Sequence, residues 1–149
     1  MFRKLLLGAV VSAALSTAAF AQTVGTAAEA KAMLEKAISE LKAGEAGALA
    51  KFNKADGGFR DRDLYVYCFE KASGKFTAHP NAALMGTDVR ALKEKDGSPL
   101  GQKVFDAAKE GTITTISYNF PKPGGTDPVP KEAYVTAVGG QGCGVGYYK

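Results

Sequence analysis

One histidine, His79, and two cysteines, Cys68 and Cys143, are the only imidazole and thiol groups in the 149-residue chain. An imidazole is the one side chain whose ordinary pKa lies near neutrality, so His79 is the natural place for acid-base work or for a polar contact to a ligand. It stands directly before Pro80 at the end of a strand-like run, where a structural histidine fits equally well, and all three roles stay open. Cys143 and His79 can be drawn as a dyad, but Cys143 lies between Gly142 and Gly144 in another strand-like run, with no orienting acid in view. No CxxC, CxxCH, HExxH or Cys/His zinc spacing is present, so neither a metal nor another cofactor is expected. Lys131 and Tyr134 form a more specific pair: an ammonium is a point charge suited to a carboxylate, and a phenol adds one directional hydrogen bond. Three residues apart after a Pro-rich turn, they can enter one pocket near a strand start, although an exposed lysine and a core tyrosine satisfy the same spacing. Tyr118 and Phe120, two residues apart, fall on one face of a strand and can line an apolar wall. Arg60, Arg62 and Arg90 have the better geometry for a bidentate carboxylate, but they read as a loop entry and a surface turn and are held in reserve.

The elements that would position these groups follow from periodicity. Met33, Leu34, Ala37, Ile38 and Leu41 recur at helical spacing after a T-x-x-E capping box at Thr26 and Glu29. Gly44 should interrupt that helix, Ala46, Leu49, Ala50 and Phe52 should continue its stripe, and Asp56-Gly57-Gly58 should stop it. From Asp63 the period changes to two, with Leu64, Val66 and Cys68 alternating against Tyr65, Tyr67 and Phe69, which reads as a central strand apolar on both faces. Ala72-Ser73-Gly74 then turns the chain into a partner strand ending at Pro80, which cannot donate to a ladder. After an irregular stretch, Ser98 as N-cap and Pro99 at the first helical position open a helix carrying Leu100, Val104, Phe105 and Ala108, with Gly111 closing it. Strands are expected near residues 112–120, 131–138 and 142–148, joined by a Pro/Gly-rich loop and by Gly139-Gly140-Gln141. Five strands pairing mostly as antiparallel neighbours, with helices on one face, make a two-layer α+β sandwich.

Composition narrows the function classes. The chain is 46% hydrophobic and 23% charged, an ordinary globular balance for one domain. Met1, Arg3 and Lys4 precede the apolar run Leu5–Leu15, and Ala19-Phe20-Ala21 follows, which is the pattern of a secretory signal peptide occupying residues 1–21. That run is far short of the roughly 20 residues a membrane-spanning helix needs. Cleavage after Ala21 takes Arg3 and Lys4 with it, so the formal net charge of +4 halves. The remaining lysines are dispersed and offer no stripe for a phosphate backbone, which argues against nucleic acid as a partner. A periplasmic or secreted protein is expected, with residues 22–149 as a single domain.

Taken in order, Asp63-Leu64-Tyr65-Val66-Tyr67, Ala78-His79-Pro80-Asn81, Leu84-Met85-Gly86-Thr87-Asp88, Asp96-Gly97, Ser117-Tyr118, Pro123, Lys131-x-x-Tyr134-Val135 and Gly144-Val145-Gly146-Tyr147 resemble the successive motifs of single Cache sensor domains. The resemblance covers roughly Thr26 to the C-terminus. It implies a PAS-like five-stranded antiparallel sheet, a long N-terminal helix, helical connections on the faces of the sheet, and a first strand lying beside the last. It also implies a small ligand, often a short carboxylate, held between the sheet and the connecting segments, with His79, Tyr118, Phe120, Lys131 and Tyr134 as the positions that match. The adjacency of first and last strands, with an even cysteine count in an exported chain, makes a Cys68–Cys143 disulfide the expected state of the two thiols. Two departures stand out: Asn119-Phe120 replaces the Trp that many relatives carry after the motif Tyr, and no receptor or kinase segment follows Lys149. The expectation is a non-enzymatic, stand-alone exported binding domain for a short organic acid, working through a membrane receptor or kinase partner. A docking module with a vestigial pocket is the alternative, and an exported enzyme a weaker third.

Overall fold

The computed structural model describes residues 23–149; the leader expected at 1–21 lies outside the described residues. Helix α1 spans Ala27–Ala43 and buries Ala30, Met33, Leu34, Ala37 and Leu41. Its capping box forms as expected: the Thr26 hydroxyl accepts from the Glu29 N–H at 3.2 Å, and the Glu29 carboxylate accepts from the Thr26 N–H at 2.8 Å. Helix α2 follows at Glu45–Lys54, and its buried residues are Ala48 and Phe52. The break at Gly44 resets the helical phase, so Ala46 and Ala50, expected in the stripe, are exposed.

The strands are β1 (Arg60–Asp61), β2 (Leu64–Glu70), β3 (Phe76–Ala78), β4 (Thr114–Pro121), β5 (Pro128–Val138) and β6 (Gln141–Tyr148). The sheet runs β3, β2, β6, β5, β4, all antiparallel, and β1 adds two residues to β2. Between β3 and β4 the chain makes single 3-10 turns at Ala82–Leu84 and Val89–Ala91, then helix α3 at Leu100–Ala107. Helix α3 begins one residue later than expected. Pro99 is its cap, and Ser98 instead donates its N–H to the Asp96 carboxylate at 2.9 Å in an Asx turn.

Helices cover both faces of the sheet, where residue patterning alone predicted one. Leu64, Val66 and Cys68 of β2 with Cys143 and Val145 of β6 pack under α1 and α2. Tyr65, Tyr67 and Phe69, one residue out of phase, join Tyr118, Ala133 and Val135 beneath α3 and the turn at Val89–Ala91. This second core is open enough to matter for function. It is floored by glycines: a Cβ at Gly142, Gly144 or Gly146 would fall on the Phe69 ring, the Tyr67 phenol or the Lys131 Cε respectively, so the side chains of β2 and β5 lie flat across β6. On the other face Cys68 and Cys143 are paired in register and joined by a disulfide, their Cα atoms 4.1 Å apart.

Candidate functional site

The cavity lies on the α3 side of the sheet. Phe76 of β3, Val89 and Leu92 of the second 3-10 turn, and Leu100 and Val104 of α3 form its apolar wall. Tyr65 and Tyr67 of β2, Tyr118 and Phe120 of β4, and His79 beyond β3 complete it. This space measures about 20 Å³, room for roughly one water molecule. It opens past Tyr65, His79 and Phe120 into a cleft of about 450 Å³ bounded by Pro80, Asn81 and residues 121–125. Those three side chains are common to both spaces, and the polar groups of the candidate site gather around them.

His79 is held from two sides. Its backbone N–H donates to the Asn53 side-chain oxygen at 3.3 Å, while the Asn53 amide donates to the Thr77 carbonyl at 2.8 Å, so α2 fixes the end of β3. Its Nδ1 accepts from the Asn81 N–H at 2.9 Å, which leaves the hydrogen of the neutral ring on Nε2. Burial first, and then the charges of Lys131 and Arg60, push the imidazole pKa down to about 4, so the ring is a neutral donor at pH 7. The Tyr67 hydroxyl is fully buried without a hydrogen-bond partner, a group for which a bound molecule would supply one. Burial holds the phenols of Tyr65, Tyr67 and Tyr118 above their ordinary pKa, so they too are neutral donors.

Lys131 is placed one layer behind this wall rather than in it. Its side chain crosses Gly146, and Nζ donates to the Tyr65 hydroxyl at 2.9 Å and to the Tyr148 hydroxyl at 3.4 Å. The rings of Tyr65, Tyr148 and Phe120 surround Nζ, with centroids at 4.3, 4.7 and 5.6 Å. The residue is 1% exposed, and no ion pair among the described residues includes it. Burial accordingly pushes the ammonium pKa down to about 7, against an opposing pull from Asp63.

Of the residues expected to share one site, His79, Tyr118 and Phe120 line the cavity and Lys131 backs it. Tyr134 does not belong. It stacks on Tyr147 at 6.1 Å on the α1 face. The reason is the two-residue period of a strand: β5 carries Lys131, Ala133 and Val135 on one face, and position 134 must point to the other. Arg62 is taken up by Glu29 and Asp61 at 2.7 and 2.8 Å, Arg90 by Asp88 at 2.7 Å, and Arg60 lines neither the cavity nor the cleft. Tyr65 and Tyr67 were missed as site residues. The signal for them was their shared phase, opposite to Cys68, together with the alternate glycines of β6 that leave room for rings on that face.

The single Cache domain 2 family model matches residues 5–147. The chain belongs to that family. A curated relative, the methyl-accepting chemotaxis protein McpP of Pseudomonas putida, is 29% identical over 76 residues, which span 50% of this chain and 14% of that protein. Among solved structures, a methyl-accepting chemotaxis protein from Vibrio parahaemolyticus shares the Cache fold at a TM-score of 0.66 and 20% identity, over 81% of this chain and 86% of that one. A periplasmic sensor domain of a chemotaxis protein gives 0.61 at 26% identity, over 79% and 86%. A Cache chemosensory domain solved for its recognition of carboxylic acids gives 0.57 at 24% identity, over 79% and 84%. Among the described residues no helix is long and apolar enough to cross a membrane, and Cys143, bonded to Cys68, has no free thiol for a Cache-borne dyad with His79.

Proposed function

We propose that this Cache domain is an exported sensor that captures a short organic acid where the cleft meets the cavity beneath α3, at Tyr65, His79 and Phe120, and passes the bound state to a separate signalling partner. The leader expected at residues 1–21 and the buried disulfide both suit an oxidising compartment outside the cytoplasm. The observation that carries the reading is Lys131: a buried amine without a carboxylate partner, set directly behind a wall of neutral hydrogen-bond donors. Bringing such a charge indoors is costly unless an opposite charge and hydrogen bonds accompany it, and a ligand carboxylate at Tyr65, Tyr118 and His79 would supply both. The apolar wall suits a short hydrocarbon tail. A role as a docking module would call for a broad exposed apolar patch, whereas Met85, at 37% exposed, is the only exposed large hydrophobic among the described residues.

The test is a thermal-shift screen with acetate, propionate, lactate and related acids. A ligand at 100 times its dissociation constant should stabilise the protein by about 2.7 kcal/mol. Lys131→Met should weaken binding by at least about 1 kcal/mol, as expected for a lost charged hydrogen bond, whereas Tyr134→Phe on the far face should leave it unchanged. The reading fails if no acid shifts the midpoint, or if Lys131→Met binds every hit as tightly as the parent.

A further inference from the structure

Lys131 Nζ meets two acceptors, the hydroxyls of Tyr65 and Tyr148, and the Tyr148 hydrogen is already given to the Pro121 carbonyl at 2.6 Å. An ammonium carries three N–H donors and a neutral amine two donors and a lone pair, so either form can use the two acceptors; what the charged form lacks in this buried place is an anionic partner among the described residues. Tyr65 is the link to the ligand space. Its hydroxyl meets Lys131, and its side chain lines both the cavity and the adjoining cleft. We propose that a carboxylate entering this site is captured together with one proton, which comes from solvent and ends on Lys131 Nζ, while Tyr65, accepting from that nitrogen, turns its own hydrogen to the ligand.

This inference rests on the carboxylate reading above. The ligand arrives as R–COO⁻ and stays so, Lys131 passes from R–NH₂ to R–NH₃⁺, and no covalent bond of the ligand changes. Lys131 then acts as a positioning residue: it reaches the ligand through Tyr65. The groups that face it are Tyr65 from β2, Tyr118 and Tyr148 from β4 and β6, Asp63 from the turn before β2, and His79 beyond β3, with Lys122 over the Tyr148 ring and Arg60 acting on His79. The phenols among them are held above their ordinary range and His79 sits at about 4, whereas Lys131 sits at about 7. Between pH 6 and 9 the lysine is therefore the group that changes charge.

The experiment is calorimetric titration of the protein with sodium acetate and sodium propionate, in phosphate and in Tris, from pH 6 to 9. The expected result is a dissociation constant that is flat below pH 7 and rises about tenfold per pH unit above it, with uptake approaching one proton per site near pH 8. Lys131→Met should bind weakly, with a flat profile and no proton uptake. Uptake that persists in Lys131→Met, or that vanishes only in His79→Asn, overturns the proposal. A parent whose affinity is flat in pH overturns it while leaving the binding reading intact, and failure of both acids to bind at any pH removes the binding reading itself. Should Lys131→Met bind too weakly to titrate, ¹³Cε-lysine spectra of the parent decide. One lysine should titrate near pH 7 in the free protein and stay charged past pH 9 when saturated with propionate; no lysine titrating below pH 9 in the free protein would overturn the proposal.

Discussion

Lys131 leaves a mark on stability even without a ligand. Its proton is lost near pH 7 in the folded chain but near 10.5 once the chain unfolds. Between those values the unfolded state binds more protons, so the folded state gains stability as pH rises, by up to about 1.4 kcal/mol per pH unit. Below pH 7 the lysine is charged in both states and the full cost of burying it is present. Urea midpoints of the ligand-free protein should therefore rise from pH 7 to pH 9, a window that stays clear of the tyrosines because burial keeps Tyr65 and Tyr118 protonated there. Lys131→Met should abolish that rise and leave the protein as stable as the parent or more so at pH 7, because an apolar side chain of similar length fits the same aromatic surroundings. A variant that is more stable and yet binds worse marks a residue kept for its ligand. Falling or flat midpoints in the parent would contradict this account.

Helix α3 and the turn at Val89–Ala91 form the cavity roof, and one residue seats them on each other. The Gly101 N–H donates to the Leu92 carbonyl at 2.9 Å, and a Cβ there would land on the Val89 carbonyl oxygen. That obstacle is backbone and cannot swing away, so Gly101→Ala should cost about 1–3 kcal/mol, the usual range for overpacking, and should spoil ligand binding by lifting Val89 and Leu100. Gly47, exposed in α2 with nothing near its Cβ position, is the control: Gly47→Ala should gain about 0.5–1 kcal/mol of helix propensity and leave binding untouched. Equal destabilisation by both would refute the seating role. Elements of this kind were largely legible in the sequence, because the capping box, the two-residue alternation and the Gly-rich turns are local signals. Facing was less so. Helical spacing shows that Leu100 and Val104 are apolar together but not which side of a sheet they cover, and a strand of 11 residues puts Lys131 and Tyr134 on opposite faces however well their types match. β5 also runs further than its prolines suggested: the Pro130 carbonyl still accepts from the Lys149 N–H at 3.0 Å, one residue past the end of β6, so the missing Pro130 N–H costs only the last bond of that ladder.

At the scale of the whole molecule, the sheet separates two cores with different tasks. The core beneath α1 and α2 holds the disulfide, whereas the core beneath α3 borders the cavity lined by Tyr65, Tyr67 and His79. Cys68 and Cys143 join the long strand nearest the N-terminus to the last one at the middle of the sheet, with a sequence separation of 75. Closing a loop of that length in the unfolded chain is worth about 4 kcal/mol in the chain-entropy model, a large share of the roughly 5–15 kcal/mol that holds a domain together. The bond lies in the core beneath α1 and α2, and its β2 neighbours Tyr67 and Phe69 point to the opposite face, so stability and binding should separate on its removal. Replacing both cysteines by alanine should lower the unfolding free energy by about 4 kcal/mol, read as a large drop in urea midpoint. Where the variant remains folded, its affinity for propionate should stay within a few-fold of the parent. A variant that keeps its midpoint would show that the bridge adds nothing to the sheet. One that loses affinity while still folded would show that the two cores are coupled through β2, with Cys68 holding Tyr67 in place from behind.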